Sequence, residues 1–480
     1  MKYFNPKYLK KTKIVATLGP ATDEKETLRL MMDRGVDVFR INFSHADYKI
    51  VDKKIQMIHS LNEEHGYNTA ILADLQGPKL RIGEMEEDVV LEPGDIFTFT
   101  NEKIKGDRSR AYMTYKQFPN DVKVGENILI DDGKLMLKVV STNGKDEVKA
   151  EVIQGGPLSS KKGVNLPNTK ISLPALTEKD VKDAEFAISR NVDWIALSFV
   201  RSAQDVEDLR KLIKKNVDYK IPIIAKIEKP EALENIDEII KSVDGLMVAR
   251  GDLGVEMPME VVPQCQKMLV AKAKLARIPV IVATQMMESM ISSLTPSRAE
   301  VNDVANAVFD GVDAVMLSGE TSIGKYPVEV IETMTKILQR VEDSPLIKIQ
   351  TLKPNNRNER FVTKIICYNA AHMVKLTGAK AISTLTYSGY TAFQISSYRP
   401  LSYILVYTPN KNIVRRLNLL WGVKAMYFDA GNRSTDQTVI DVNQLALDFG
   451  YVEQGDYVVN LNAMPVFEKG MTNTVRLTTI

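Results

Sequence analysis

Residues 191–327 repeatedly set a charge or a hydroxyl at the end of a short apolar run. Ile223-Ile-Ala-Lys-Ile-Glu228 ends on Lys226 and Glu228, and Leu246-Met-Val-Ala-Arg-Gly-Asp252 on Arg250 and Asp252. Other runs end near Ser198 and Arg201, on Thr284, and on Ser318 and Glu320. Glu228 and Asp252 are carboxylates at the ends of neighbouring expected strands, a pair suited to Mg²⁺, which takes one or two carboxylates and fills its other positions with water and substrate oxygens. The alternative is a pair that only neutralises Lys226 and Arg250. Lys226 lies two residues before Glu228 and shares its face on a strand. A lysine, the upstream Arg40 and a metal around one pocket suit a transferring phosphoryl group, whose charge must be held and neutralised.

These residues need elements to hold them at one rim. Each run has strand length, is rich in β-branched residues and is separated from the next by a helical pattern. Five such units with polar residues at their strand ends describe the active face of a (β/α)8 barrel, although a doubly wound sheet also binds ligands at strand ends. Upstream, residues 13–19, 36–44 and 69–75 read as three more strands, the second alternating Arg40, Asn42 and Ser44 onto one side and the third ending on Asp74. Eight strands close a barrel. The expected fold is therefore a (β/α)8 TIM barrel over residues 1–77 and 173–345. Residues 78–172 change to short alternating strands with turns at Pro93-Gly94, Val124-Gly125, Asp132-Gly133 and Asn143-Gly144. This reads as an inserted all-β lid domain at the polar end of the barrel. Residues 346–480 alternate helix and strand again, with strands expected at 379–386, 402–407, 423–428 and 456–460, as a C-terminal open α/β domain.

Composition narrows the partners. A net charge of +2 gives no bulk electrostatic case for nucleic acid or membrane, so an anionic ligand must be held locally. The two cysteines, Cys265 and Cys367, lack metal-ligand spacing and read as reduced and structural. No signal peptide or membrane-spanning run is visible, and a soluble cytoplasmic protein is expected. Gly319-Glu-Thr-Ser-Ile-Gly-Lys325 has the outline of a phosphate-cradling loop, but Tyr326 stands where that motif needs Ser or Thr, and Pro327 opens a helix.

Arg40-Ile-Asn-Phe-Ser-His45, Gly77-Pro-Lys-Leu-Arg81, Lys161-Lys-Gly-Val-Asn-Leu-Pro167 and Lys226-Ile-Glu228 resemble signature segments of pyruvate kinases. So do Ala249-Arg-Gly-Asp-Leu-Gly254, Ala283-Thr-Gln-Met-Met-Glu-Ser-Met290 and Leu317-Ser-Gly-Glu-Thr321, and all appear in order. The resemblance implies Mg²⁺-dependent phosphoryl transfer from phosphoenolpyruvate to ADP, giving pyruvate and ATP. It implies that Lys226 stabilises the migrating phosphoryl, Glu228 and Asp252 hold Mg²⁺, Arg40 grips the phosphate and the backbone at Gly251 meets the substrate carboxylate. A second Mg²⁺ would arrive with the nucleotide, and Mn²⁺ would serve as a substitute. Asn42, His45, Arg81 and Lys162 match positions that approach the nucleotide phosphates. Thr284 and Ser318 match positions tied to protonation of the enolate through water. A homotetramer is the family's usual assembly.

Two segments depart from, or refine, that resemblance. Thr386, Ser388, Gly389 and Thr391 match the family's effector phosphate loop, a hydroxyl- and glycine-rich turn opening a helix. Ala463-Met-Pro-Val-Phe-Glu-Lys-Gly470 lacks the arginine that closes over a sugar bisphosphate and adds Glu468, which points to a monophosphate effector or none. Near the nucleotide, most members resemble Asp-Thr-Lys-Gly-Pro-Glu, and the Asp helps an Asn and a Ser hold K⁺. This chain keeps Asn42, Ser44 and Asp74 but reads Asp74-Leu-Gln-Gly-Pro-Lys79. Lys79 then supplies the positive charge that K⁺ brings elsewhere, using the same oxygen ligands, and K⁺ is expected not to be required. Two other classes stay open: an aldolase barrel acting on a keto acid, which needs neither lid nor Lys162, and an inactive regulatory homologue, which would be expected to lack Lys226, Glu228, Asp252 or Thr284.

Overall fold

The computed structural model describes residues 6–167, 169–347, 353–354, 360–464 and 471–480. The apolar runs form eight parallel strands: β1 (Lys13–Thr17), β2 (Val38–Asn42), β3 (Ala70–Asp74), β4 (Trp194–Leu197), β5 (Ile223–Ile227), β6 (Gly245–Ala249), β7 (Val280–Ala283) and β8 (Ala314–Leu317). Each pairs with the next, and β8 closes the ring on β1 with Lys13 opposite Ala314 and Ala16 opposite Leu317. Strands buried on both faces need apolar residues at every position. Ile14, Phe39, Ile71, Ile195 and Ile223 pack outward under the helices, while Val15, Val38, Leu72, Trp194, Ile224 and Met247 fill the interior.

The lower rim, at the amino ends of the strands, has a repeating device. An aspartate stands immediately before each even-numbered strand: Asp37, Asp193, Asp244 and Asp313. Each accepts a backbone N–H near the start of the preceding odd strand: Ile14 at 2.9 Å, Ile71 at 2.9 Å, Ile223 at 3.0 Å and Val280 at 3.1 Å. Each is also matched by a cation, Lys10, Arg415, Arg210 and Arg399 respectively. Arg415 and Arg399 come from the C-terminal domain, whose Leu419 joins the barrel's interior cluster and plugs its lower mouth.

Between β3 and β4 the chain builds a six-stranded sheet and a two-stranded ribbon around Phe97, Phe99, Phe118, Ile128, Leu137 and Val148. Its turns fall at Gly94, Gly125, Gly133 and Gly144, which take φ between 66° and 92° where a side chain would be strained. The C-terminal sheet runs Val423–Tyr427, Tyr403–Thr408, Ala381–Leu385, Tyr457–Asn462, Thr474–Thr479, the last strand antiparallel. Four of these strands were legible in the sequence. Thr474–Thr479 was not, because it is an edge strand whose residues are largely solvated and carry no apolar alternation. The expected fold class holds: a closed barrel, an inserted all-β part and a C-terminal α/β domain. Among the described residues, no helix is long and apolar enough to cross a membrane.

Lys13 sits fully buried where the barrel meets the C-terminal domain, donating to Val423 O at 2.8 Å and lying 3.5 Å from Asp37 Oδ1. Burial pushes its ammonium down to about 7 despite the Asp37 charge. The unfolded chain keeps the ordinary 10.5, so between those values it binds a proton that the fold refuses, and stability rises with pH across that window. Lys13→Met removes this dependence. The unfolding midpoint in urea of the variant, relative to wild type, is expected to fall as pH is raised from 7 to 10; a difference that stays constant would show that Lys13 is buried charged.

Candidate functional site

The upper rim gathers charge. Lys226, fourth residue of β5, donates to Ser198 Oγ at 2.7 Å and lies 2.9 Å from Glu228 Oε1 and 3.3 Å from Asp74 Oδ1. Asp74 ends β3, and its other oxygen accepts Arg40 Nε at 2.6 Å. Arg40 on β2 continues to Thr17 Oγ1 on β1 at 3.0 Å. Asp74 and Glu228 are each 1% exposed, and Arg40 and Lys226 9%. Burial opposes the Lys226 charge, but Asp74 and Glu228 outweigh it and hold its pKa above the ordinary value. Glu228 is pushed up, first by burial and then by the like charge of Asp252, against the pull of Lys226.

That condition bears on a metal. A buried carboxylate beside a second carboxylate is relieved by a divalent cation, and Glu228 with Asp252 fits one that brings its remaining ligands as water and substrate oxygens. Among the described residues there is no cluster of three or more His, Cys, Asp or Glu that would complete a metal site from protein alone. Glu228 is itself aimed by the chain, because its Oε2 accepts Phe199 N at 2.7 Å. Phe199 takes φ 52° to present that N–H, a left-handed conformation that a bulky residue adopts only under constraint.

The next strand end is strained in the same way. Thr284 and Gln285 have φ of 70° and 53°. The turn points Thr284 Oγ1 at Gly251 N, which donates at 2.8 Å, while the hydroxyl donates to Ala283 O at 2.6 Å. A Cβ on Gly251 would stand 3.3 Å from that oxygen, so the small residue permits the approach. Arg250 is a strut, spanning Thr284 O at 2.7 Å and Asp303 at 2.7 Å. Ser318 follows β8 half-buried, and its N–H donates to Glu320 Oε2 at 2.6 Å, while Oε1 of the same carboxylate accepts Met287 N at 3.1 Å. One buried glutamate thus ties the loops after β7 and β8.

The residues expected near the nucleotide divide between barrel and insert. Asn42 Oδ1 accepts Ser44 N at 3.1 Å and closes the turn after β2; the His45 side chain lies outside the described residues. Arg81 donates to Lys161 O at 2.9 Å, and Lys162 pairs with Asp131 at 3.0 Å, both on the insert. The structure does not join Lys79 to Asn42, Ser44 or Asp74, contrary to the direct replacement expected from the sequence. Both Asp74 oxygens are occupied by Arg40 and Lys226, and the left-handed Gly77 (φ 70°) carries the chain toward the insert. Lys79 is exposed, lies along Gly163, and lines the cleft between barrel and insert with Phe199 and Asp252.

In the C-terminal domain, Thr386 Oγ1 accepts Gly389 N at 3.0 Å, Ser388 Oγ accepts Tyr390 N at 3.5 Å, and Thr391 shares a 2.9 Å hydrogen bond with Thr472. They line a cavity of about 260 Å³ with Tyr390 and Asn462. Residues 465–470, including Glu468, lie outside the described residues. Sequence reasoning gave no role to Ser198 or Thr17. The only signal for either was a hydroxyl at the end of an apolar run.

Comparison with known proteins agrees with this geometry. Residues 9–331 match the family model described as pyruvate kinase, barrel domain, and residues 364–478 that described as pyruvate kinase, alpha/beta domain. The chain is 42% identical over 455 residues to pyruvate kinase 2 of Synechocystis sp., covering 94% of this chain and 76% of that protein. It is 40% identical over 469 residues to the pyruvate kinase of Corynebacterium glutamicum, covering 98% and 97%. A crystal structure of a pyruvate kinase from Cryptosporidium parvum superposes with a TM-score of 0.90 at 33% identity, covering 98% of this chain and 96% of that one. The buried charge cluster, the barrel that carries it and these relatives converge: the chain belongs to the pyruvate kinase family and is an enzyme of that class.

Proposed function

We propose that this enzyme transfers the phosphoryl group of phosphoenolpyruvate to ADP in a Mg²⁺-dependent reaction that gives pyruvate and ATP. The Lys226 ammonium, held between Asp74, Glu228 and Ser198 at the barrel mouth, carries the proposal. The phosphorus–oxygen bond to the enolate breaks as one forms to the β-phosphate of ADP, and charge spreads over the equatorial oxygens. Lys226 meets that charge already fixed in place, so little reorganisation is needed. Arg40, oriented by Asp74 and Thr17, grips the phosphate. The backbone at Gly251 faces the substrate carboxylate. The enolate then takes a proton at carbon through water positioned by Thr284 and Ser318. Glu228 and Asp252 would hold Mg²⁺, which supplies charge neutralisation when bound; Mn²⁺ would substitute, and a second ion would accompany the nucleotide. Asn42, His45, Arg81 and Lys162 would receive the nucleotide phosphates as the lid, residues 78–172, closes.

We place the catalytic barrel in residues 1–77 and 173–345 and a regulatory domain in residues 346–480. Its turn at Thr386, Ser388, Gly389 and Thr391 would take a monophosphate effector. A cytoplasmic homotetramer is the assembly proposed. We also propose independence of K⁺, on a basis altered from the sequence reading. The exposed Lys79 ammonium makes no hydrogen bond or ion pair among the described residues, and it adds a fixed positive charge to the cleft beside Asp252 rather than occupying an oxygen cage. A bound monovalent cation there would be repelled by that charge.

A coupled assay with phosphoenolpyruvate and ADP tests the reaction. Lys226→Met should lower kcat by roughly 10³-fold, the scale of a lost transition-state cation, with a smaller change in KM. It should also unfold at lower temperature, because buried Glu228 loses its counter-ion and buried Asp74 one of its two cations. More than a tenth of wild-type kcat would remove Lys226 from the chemistry. Glu228→Gln should move the midpoint of the Mg²⁺ titration upward; an unmoved midpoint would place the metal elsewhere. For the monovalent ion, full activity is expected in tetramethylammonium buffer with Mg²⁺ alone, and K⁺ dependence in Lys79→Glu. A wild-type enzyme that is nearly inactive until K⁺ is added would end this reading.

A further inference from the structure

The insert hangs from the barrel by two chain crossings, one outgoing at Gly77 after β3 and one returning before the helix Glu178–Ser189. One buried carboxylate, Asp180, meets both. Its Oδ1 accepts the outgoing Gly77 N–H at 3.0 Å, and its Oδ2 accepts Thr177 N at 3.0 Å and Thr177 Oγ1 at 2.5 Å. Asp180 is 0% exposed. The bond to Thr177 is half of an ordinary capping box, for which a helix start would need only the returning strand. The bond to Gly77, 103 residues away, serves no helix. Gly77 is packed closely there, since a Cβ on it would stand 2.7 Å from Phe199 and 3.0 Å from Ser198. Those neighbours bear the site: Phe199 N aims Glu228, and Ser198 Oγ receives Lys226.

We propose that Asp180 is the positioning residue of the lid. By holding both crossings on one carboxylate, it makes them turn about a single point, so the insert swings as a rigid body and returns Arg81 and Lys162 to the same place over the barrel. An isolated hinge residue on either crossing would let the strands slip past each other and smear that position. This rests on the reading of the insert as a lid given above, but its mechanical content does not depend on the reaction.

In Asp180→Asn one oxygen becomes an NH₂ donor, which opposes either the Gly77 N–H or the Thr177 donors and frees one crossing. Thr177→Val is the milder second variant, deleting only the hydroxyl. The chain's two cysteines are buried, so spin labels can be placed at Lys145→Cys on the insert and Lys241→Cys on the barrel. Labelled protein is mixed with excess unlabelled protein, and distances are measured without substrate by pulsed dipolar spectroscopy. Wild type is expected to give one narrow distribution, Asp180→Asn a broadened or second one, and Thr177→Val a smaller broadening in the same direction. Thr177→Ser should match wild type. In the coupled assay, Asp180→Asn should lose about tenfold in kcat at saturating substrates, as for a gating defect. Distributions that superpose on wild type in Asp180→Asn, or in Thr177→Val if the first variant does not fold, would overturn the proposal. Broadening in a chain without the phosphotransfer activity would instead discard the reaction and keep the hinge.

Discussion

A buried ammonium between two buried carboxylates is the constraint around which this molecule is arranged. Taking such charges out of water is costly, and the attraction among them repays it only when the geometry is held. Lys226, Asp74 and Glu228 come from β5, β3 and the residue just after β5, and no local segment could bring them together. The barrel can, because parallel strands in fixed register deliver side chains from different parts of the chain to one rim. Arg40 extends the cluster, so that Asp74 lies between two cations and Glu228 between a cation and the half-buried Asp252.

The strained turns follow from this need. Phe199 and Thr284 adopt left-handed backbone that costs of order 1–3 kcal/mol each, and in both cases the result is a donor or acceptor aimed at a rim residue. Arg250 and Glu320 hold the loop that carries Thr284. The rim is therefore rigid in its lower layer of struts, while the insert above it makes few ties to the barrel. One is Asn165 on Glu256 at 2.8 Å, and another is Arg201 donating to the Ile171 carbonyl.

Much of this was legible in the sequence for a physical reason. Strand ends in a barrel are marked by a polar residue breaking an apolar run, and that pattern named Lys226, Glu228, Asp252, Arg40 and Thr284 without any contact information. Glycine-containing turns marked the insert equally well. What was not legible depends on distances between remote segments. Asp180 went unmarked in the sequence, and only the fold shows that one of its oxygens is spent on Gly77. Lys79 was placed by charge counting, which conveys sign but not direction, and the turn at Gly77 sends it elsewhere. The edge strand Thr474–Thr479 carries no buried face and so left no signal.

The four aspartates of the lower rim make pairs of strands, rather than single strands, the repeating module of the barrel. Through their side chains, Asp37, Asp193, Asp244 and Asp313 each accept a backbone N–H from the odd strand of their own pair, joining β1 to β2, β3 to β4, β5 to β6 and β7 to β8. A chain divided after an even strand keeps all four bonds inside its fragments, whereas one divided within a pair must remake a carboxylate-to-backbone contact on reassembly. The insert is the exception that shows the strength of this arrangement. It interrupts the second pair, and the Asp193 bond to Ile71 closes the module again across a sequence separation of 122. Quarter-barrel units of this kind are natural pieces for duplication, recombination and circular permutation.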